Sequence, residues 1–166
     1  GGVIDLPRVA AQVKVDMERV PLKTDNVGGI LPGVGDLAKE YVVIGSHYDH
    51  VGYGFFGSRS GAAGRGKIHA GADDNASGTC GNLLTARKLA EAYAALPPET
   101  PRRSVLFLWF SAEESGLVGS RHYVNNPIEP LDTHALMLNM DMIGRLREGK
   151  LEVGGVGTSP GLSEWL

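Results

Sequence analysis

Thiol chemistry is nearly missing from this chain: Cys80 is its one cysteine. A single thiol forms no internal disulfide, so the fold must hold without covalent cross-links. Cys80 falls in a helical pattern and reads as a small packed residue. Positive charge is also short. Lys and Arg number 16 against 19 Asp and Glu, for a net charge of −3. That balance argues against a partner coated in phosphate, whether nucleic acid or an anionic membrane. No apolar run approaches the ~20 residues of a membrane span. The opening GGVIDLPRVA has neither the basic start nor the apolar stretch of a signal peptide. Glycine is plentiful, at 24 residues, but has no period, so neither collagen nor a repeat array is implied. What remains, 166 residues at 42% hydrophobic, suits one domain with one core.

Residues 1–11 show no pattern and read as a tail or linker from a preceding segment, with the domain proper over 12–166. Gln12 to Val20 alternates apolar and polar, the pattern of a half-buried strand. Asn26 to Leu31 reads as a second strand, ended by Pro32-Gly33, and the two together predict a hairpin. Tyr41 to Gly45 is short, β-branched and continuous, as in a strand covered on both faces. Gly52 to Gly66 reads as a long loop of Gly, Ser and Arg, a length that is usually functional or disordered. From Ser77 to Leu96, the positions Leu83, Ala86, Leu89, Ala90, Tyr93 and Leu96 recur at helical spacing, and Pro97-Pro98 stops the helix. Ser104 to Phe110 is the most apolar run and the expected central strand. Gly116 to Val124 predicts a short helix, His134 to Met140 a buried strand, and Leu151 to Val153 one more strand. Strands alternating with helices give an α/β fold with a mixed, mostly parallel sheet.

Three of these strands finish in acidic or imidazole side chains. His47 and Asp49 follow the first, Glu113 and Glu114 the second, and Asp141 the third. The turn GADDNASG, with Asp73 and Asp74 among small residues, lies between the first two. Parallel strands put such groups on one edge, where open α/β sheets bind ligands. Several carboxylates in one crevice must protonate or share a cation. Mixed imidazole and carboxylate donors favour zinc, with manganese or cobalt as substitutes. Two such cations bridged by a carboxylate polarise a carbonyl and activate a water, and an adjacent Glu-Glu pair can supply one ligand and one general base. Each element alone has a plainer reading: a helix cap, a turn, a solvated face. The set, in this order, points to a metal centre.

Together, VVIGSHYDHVG (Val42 to Gly52), HAGADDNASG (His69 to Gly78), SVLFLWFSAEESGLVGSRHYV (Ser104 to Val124) and NMDMIGR (Asn139 to Arg145) resemble the M28 family of co-catalytic zinc aminopeptidases. The resemblance covers about residues 12–160, and the lead-in TDNVGGILPG (Thr24 to Gly33) resembles bacterial members. It implies a three-layer αβα fold and hydrolysis of the N-terminal peptide bond of peptides. It implies that His47 ligates one metal, held by Asp49, and that Asp73 bridges both metals, with a cis bond to Asp74. It further implies Glu113 as general base, Glu114 on the second metal, and Asp141 completing the first. His50 and His69 have no ligand role in the pattern and read as packing or supporting groups.

The family pattern also needs a later histidine, which this sequence does not contain; His122 and His134 precede Asp141. The chain is therefore expected to be the N-terminal portion of a catalytic domain, inactive or weakly active alone, holding one zinc or none. Other expectations are peptide or protein N-termini as substrate, self-association through an exposed sheet edge, and an extracellular or periplasmic home. Three other readings compete. An M20-like carboxypeptidase or deacylase shares the HxD and Glu-Glu elements, but there the bridging Asp tends to be followed by Lys-Gly. A glutaminyl cyclase uses a related fold. A non-catalytic, receptor-like domain on the same scaffold is expected to lose its ligands, and here Glu113 and the residues before it are intact.

Overall fold

The computed structural model describes residues 10, 12–18, 20–55, 57–146 and 148–164. The expected tail or linker over 1–11 lies outside these, apart from Ala10. Four strands form one sheet: β1 (Val27–Leu31), β2 (Tyr41–His47), β3 (Ser104–Phe110) and β4 (His134–Asn139). Their spatial order is β1-β3-β2-β4. β2 runs parallel to both β3 and β4, while β1 lies antiparallel on the outer side of β3. The helices are a single turn, α1 (Gly61–Gly64), the long α2 (Gly78–Ala95) and α3 (Val118–Asn125).

Strand alternation builds two cores. Val43, Leu106, Leu108 and Phe110 turn to one face and pack with Tyr123 of α3. Ile44, Val105 and Phe107 turn to the other and meet Ala86, Leu89 and Tyr93 of α2. With helices on both faces, the three-layer α/β architecture matches the sequence reading. Leu106 is fully buried, as expected for the strand that read as most apolar.

Several expectations are corrected. Residues 12–18 and 20 form no strand, and Val13, Val15 and Met17 are exposed, so β1 has no hairpin partner there. The antiparallel edge comes instead from β1 against β3. Leu151 to Val153 forms no strand either. In α2 the inward stripe is Asn82, Ala86, Leu89 and Tyr93, whereas Leu83 and Ala90 face out. Cys80 is exposed rather than packed. Buried Asn82 stitches the second core: its Nδ2 reaches the carbonyls of Leu108 at 3.0 Å and Ile44 at 3.3 Å, one from each central strand. Among the described residues, no helix is long and apolar enough to cross a membrane.

Candidate metal centre

β2, β3 and β4 are parallel, so their carboxyl ends share one edge of the sheet. His47 is the last residue of β2 and sits in register with Phe110, the last of β3. Glu113 and Glu114 follow β3, and Asp141 follows β4. The Gly71 to Gly78 turn closes over the same edge. Gly71 has φ +61°, a conformation that L side chains rarely adopt. At Gly78 any Cβ would collide with the Met140 carbonyl and the Asn75 side chain, so only glycine lets the turn lie against the end of β4.

His47 is buried, and its two ring nitrogens have different surroundings. Nδ1 lies 3.1 Å from the backbone carbonyl of Asp49. A carbonyl only accepts, so Nδ1 carries the proton. Nε2 then faces Asp74 Oδ1 and Asp141 Oδ1, both at 3.3 Å. A lone pair aimed at two carboxylate oxygens is repulsive unless a proton or cation lies between them. Burial pulls the His47 pKa down, but Asp141, Glu113 and Asp49 outweigh it, and the ring titrates above its ordinary value.

Zinc bonds of about 2.0–2.1 Å set at tetrahedral angles give a donor–donor edge of about 3.3 Å. The two His47 separations match that edge. A second group, His50, Asp74 and Glu114, shares Asp74 with the first. The donor chemistry and spacing therefore fit divalent cations.

The two adjacent aspartates part company. Asp73 turns away: its carboxylate accepts from the Gly144 amide and the Arg145 Nε, both at 2.9 Å. The Arg145 hydrogen bond holds its pKa below the ordinary carboxylate range, against the opposing pull of desolvation. Asp74 is the one that faces the imidazoles. The cis peptide expected between Asp73 and Asp74 lies one bond later, between Asp74 and Asn75. Asn75 was missed by the sequence reading. Buried, it donates from Nδ2 to the Met140 carbonyl at 3.0 Å, and its Oδ1 accepts from the Gly78 and Met142 amides. These bonds tie the Asp74 turn to the segment carrying Asp141.

Asp49 was expected to hold the imidazole. Its carboxylate is 3.6 Å from His47 Nδ1, farther than its own carbonyl. The two carboxylate oxygens instead accept from the amides of Glu113 at 3.0 Å and Glu114 at 3.3 Å. Ala112, just before that pair, is left-handed at φ 53°, which turns the chain sharply off β3. Glu113 Oε2 stands 3.9 Å from His47 Nε2, beside the donor set rather than in it. Burial pushes its pKa up and, with the charges of Glu114, Asp141 and Asp49, outweighs the opposing pull of His47.

Phe110, Leu117 and Met137 join His47, Glu113 and Asp141 around a cleft of about 150 Å³. A larger groove of about 700 Å³, between residues 22–28 and α3, is lined by none of the converging carboxylates. His69 stays outside the centre, with Ser58 Oγ at 2.8 Å from its Nε2. His134 is bonded to the Tyr123 hydroxyl, and His122 lines the larger groove.

The model of peptidase family M28 matches residues 26–166. The chain belongs to peptidase family M28. Its similarity to an aminopeptidase of Pseudomonas aeruginosa is 34% identity over 158 residues, covering 94% of this chain and 25% of that protein. To leucine aminopeptidase 1 of Uncinocarpus reesii it is 32% identical over 161 residues, 93% of this chain and 38% of the relative. To leupeptin-inactivating enzyme 1 of Streptomyces exfoliatus it is 44% identical over 81 residues, 48% of this chain and 17% of the relative. The M28 chain thus spans between about a sixth and two fifths of these curated relatives.

Proposed function

We propose that this chain carries the metal centre and general base of an aminopeptidase that hydrolyses the N-terminal peptide bond of peptides. The observation that carries the reading is His47, whose Nδ1 is paired with the Asp49 carbonyl and whose Nε2 is faced by Asp74 and Asp141. His47, Asp74 and Asp141 would hold one divalent cation, and Asp74, rather than Asp73, is the carboxylate placed to be shared. Zinc suits these donors best. Such a cation supplies Lewis-acid polarisation of the scissile carbonyl and acidifies a water.

The chain's own residues do the rest. Glu113, outside the ligand set and with a raised pKa, takes the proton of the attacking water and returns it to the departing amine. Asp49 holds Glu113 and Glu114 in place through their backbone amides. The carboxylates around the cleft favour the α-ammonium group of a free N-terminus. An extracellular or periplasmic location belongs to the same reading, and cell fractionation tests it.

The whole protein that carries this chain, purified with zinc, should cleave an unblocked peptide and leave its N-acetylated counterpart intact. Glu113→Gln should lower kcat by about 10²–10⁴-fold while zinc binding persists. Preference for the acetylated peptide would overturn the reading and favour a deacylase of the M20 type.

A further inference from the structure

Among the described residues, β1 supplies none of the converging donors. Asn26, the residue before it, nevertheless reaches the corner that carries Glu113. The last β1–β3 pair is Val27 with Trp109. One step past it, the Asn26 side chain takes over from the backbone. Its Oδ1 accepts from the Ser111 amide at 3.0 Å, and its Nδ2 donates to the Gly119 carbonyl at 2.8 Å. The Gly119 amide in turn donates to the Ser111 carbonyl at 2.9 Å. These bonds form a closed ring that ties together the two ends of the loop from Ser111 to Gly119, and Glu113 lies inside that loop. We infer that Asn26 is a positioning residue for the general base, acting through the ends of the Glu113 loop. This rests on the role given to Glu113 above and extends it to a residue that role leaves unused.

The surroundings of the ring support the assignment. An amide N–H only donates and a carbonyl only accepts, so its partners fix which way the Asn26 amide points. At Gly119 an added Cβ would collide with the Ser111 carbonyl and Asn26 Oδ1, so only glycine lets the ring close. Within the loop, the Ala112 carbonyl accepts from the Val118 amide at 3.1 Å, and the Glu113 carbonyl accepts from the Gly116 and Leu117 amides at 2.9 Å. The lead-in to Asn26 is itself anchored. Thr24 Oγ1 lies 2.6 Å from Ser111 Oγ, and the hydroxyl of Tyr48, next to His47, donates to the Asp25 carbonyl at 2.6 Å. Asp49 holds the Glu113 amide from the β2 side. Glu113 is thus clamped twice, at its own amide by Asp49 and at the loop ends by Asn26. Bonds in a closed ring polarise one another, so losing one member weakens the others.

We would measure kcat, KM and zinc affinity in the whole protein that carries this chain, for Asn26→Ala, Glu113→Gln and Ile30→Ala, the last on β1 but outside the ring. Misplacing a catalytic group by about 1 Å costs on the order of 100-fold, and the loss falls on kcat. The expected result for Asn26→Ala is a kcat lower by about 10- to 100-fold, with KM and zinc affinity within about threefold of the parent. Zinc affinity should hold because His47, Asp74 and Asp141 all lie off the loop. Ile30→Ala should keep kcat within about threefold. Asn26→Asp keeps the shape and the acceptor and removes only the donor to Gly119. It should still lower kcat by about tenfold, and it decides the matter if Asn26→Ala does not fold. A parent-like kcat in either Asn26 variant, an equal loss in Ile30→Ala, or zinc affinity falling together with kcat would overturn the inference. Glu113→Gln with a parent-like kcat would overturn the general-base reading and this inference with it. An inactive Glu113→Gln beside a fully active Asn26→Ala would overturn this inference alone.

Discussion

Asp49→Ala distinguishes two accounts of what that carboxylate does. If it caps the glutamate pair, the substitution strips two acceptors from the amides of Glu113 and Glu114, at 3.0 and 3.3 Å. A hydrogen bond to a charged group contributes about 1.5–3 kcal/mol. The second bond lies beyond the usual N–H···O range and counts for about 0.5–1 kcal/mol. The side chain is 20% exposed, so water recovers part of the loss. The expected cost is about 2–3 kcal/mol, read from urea unfolding of the cation-free chain. Hydrogen exchange gives a local readout. At about 1.4 kcal/mol per decade, the two amides should exchange roughly 30- to 150-fold faster. If Asp49 instead holds the imidazole, those amides keep their protection and the His47 ring changes tautomer. A loss within about 0.5 kcal/mol of the parent, with both amides still protected, would refute the capping argument.

The adjacent aspartates should separate cleanly. Asp74→Asn should weaken zinc binding by more than about 100-fold, whereas Asp73→Asn, which touches only the Arg145 side, should keep it within about tenfold; isothermal titration checks both, and the reverse order would restore Asp73 as the bridge. The pH response follows from His47 and Glu113, both raised above their ordinary values. Each binds its proton more tightly in the folded chain. Their contribution to cation-free stability is therefore present below the unfolded pKa and lost as pH rises through the folded one. Zinc needs the unprotonated ring, so its effect runs the other way. Melting temperatures with and without zinc, from pH about 5.5 to 8, should diverge as pH rises. A zinc increment constant across that range would contradict it.

The sheet was legible where burial wrote it. β2 and β3 are continuous apolar runs because helices cover both their faces, and such runs end where polar groups begin, which is why the strand-end residues could be found. Gln12 to Val20 misled because alternation records a strand's preference, not the presence of a partner, and among the described residues no strand pairs with 12–18 or 20. Asp73 and Asp74 are chemically identical neighbours, so periodicity could not say which faces inward. The deciding information was in Asn75, whose bonds to Met140 and Met142 orient the turn across a separation of 65 residues. Asn82 hid for a similar reason: a polar residue at the inward period 82, 86, 89, 93 looks like an outward one until strands arrive to take its hydrogens.

The strand order β1-β3-β2-β4 bears on when the centre can exist. β2, which carries His47, is made before either strand that flanks it. The His47–Asp141 contact joins residues 94 positions apart. A growing chain emerging from the ribosome therefore has no complete donor set until β4 and Asp141 have been synthesised and docked. Pairing across such distances forms late in folding. The donor set is thus withheld until β4 has followed β2 and β3 and docked beside β2, by topology alone.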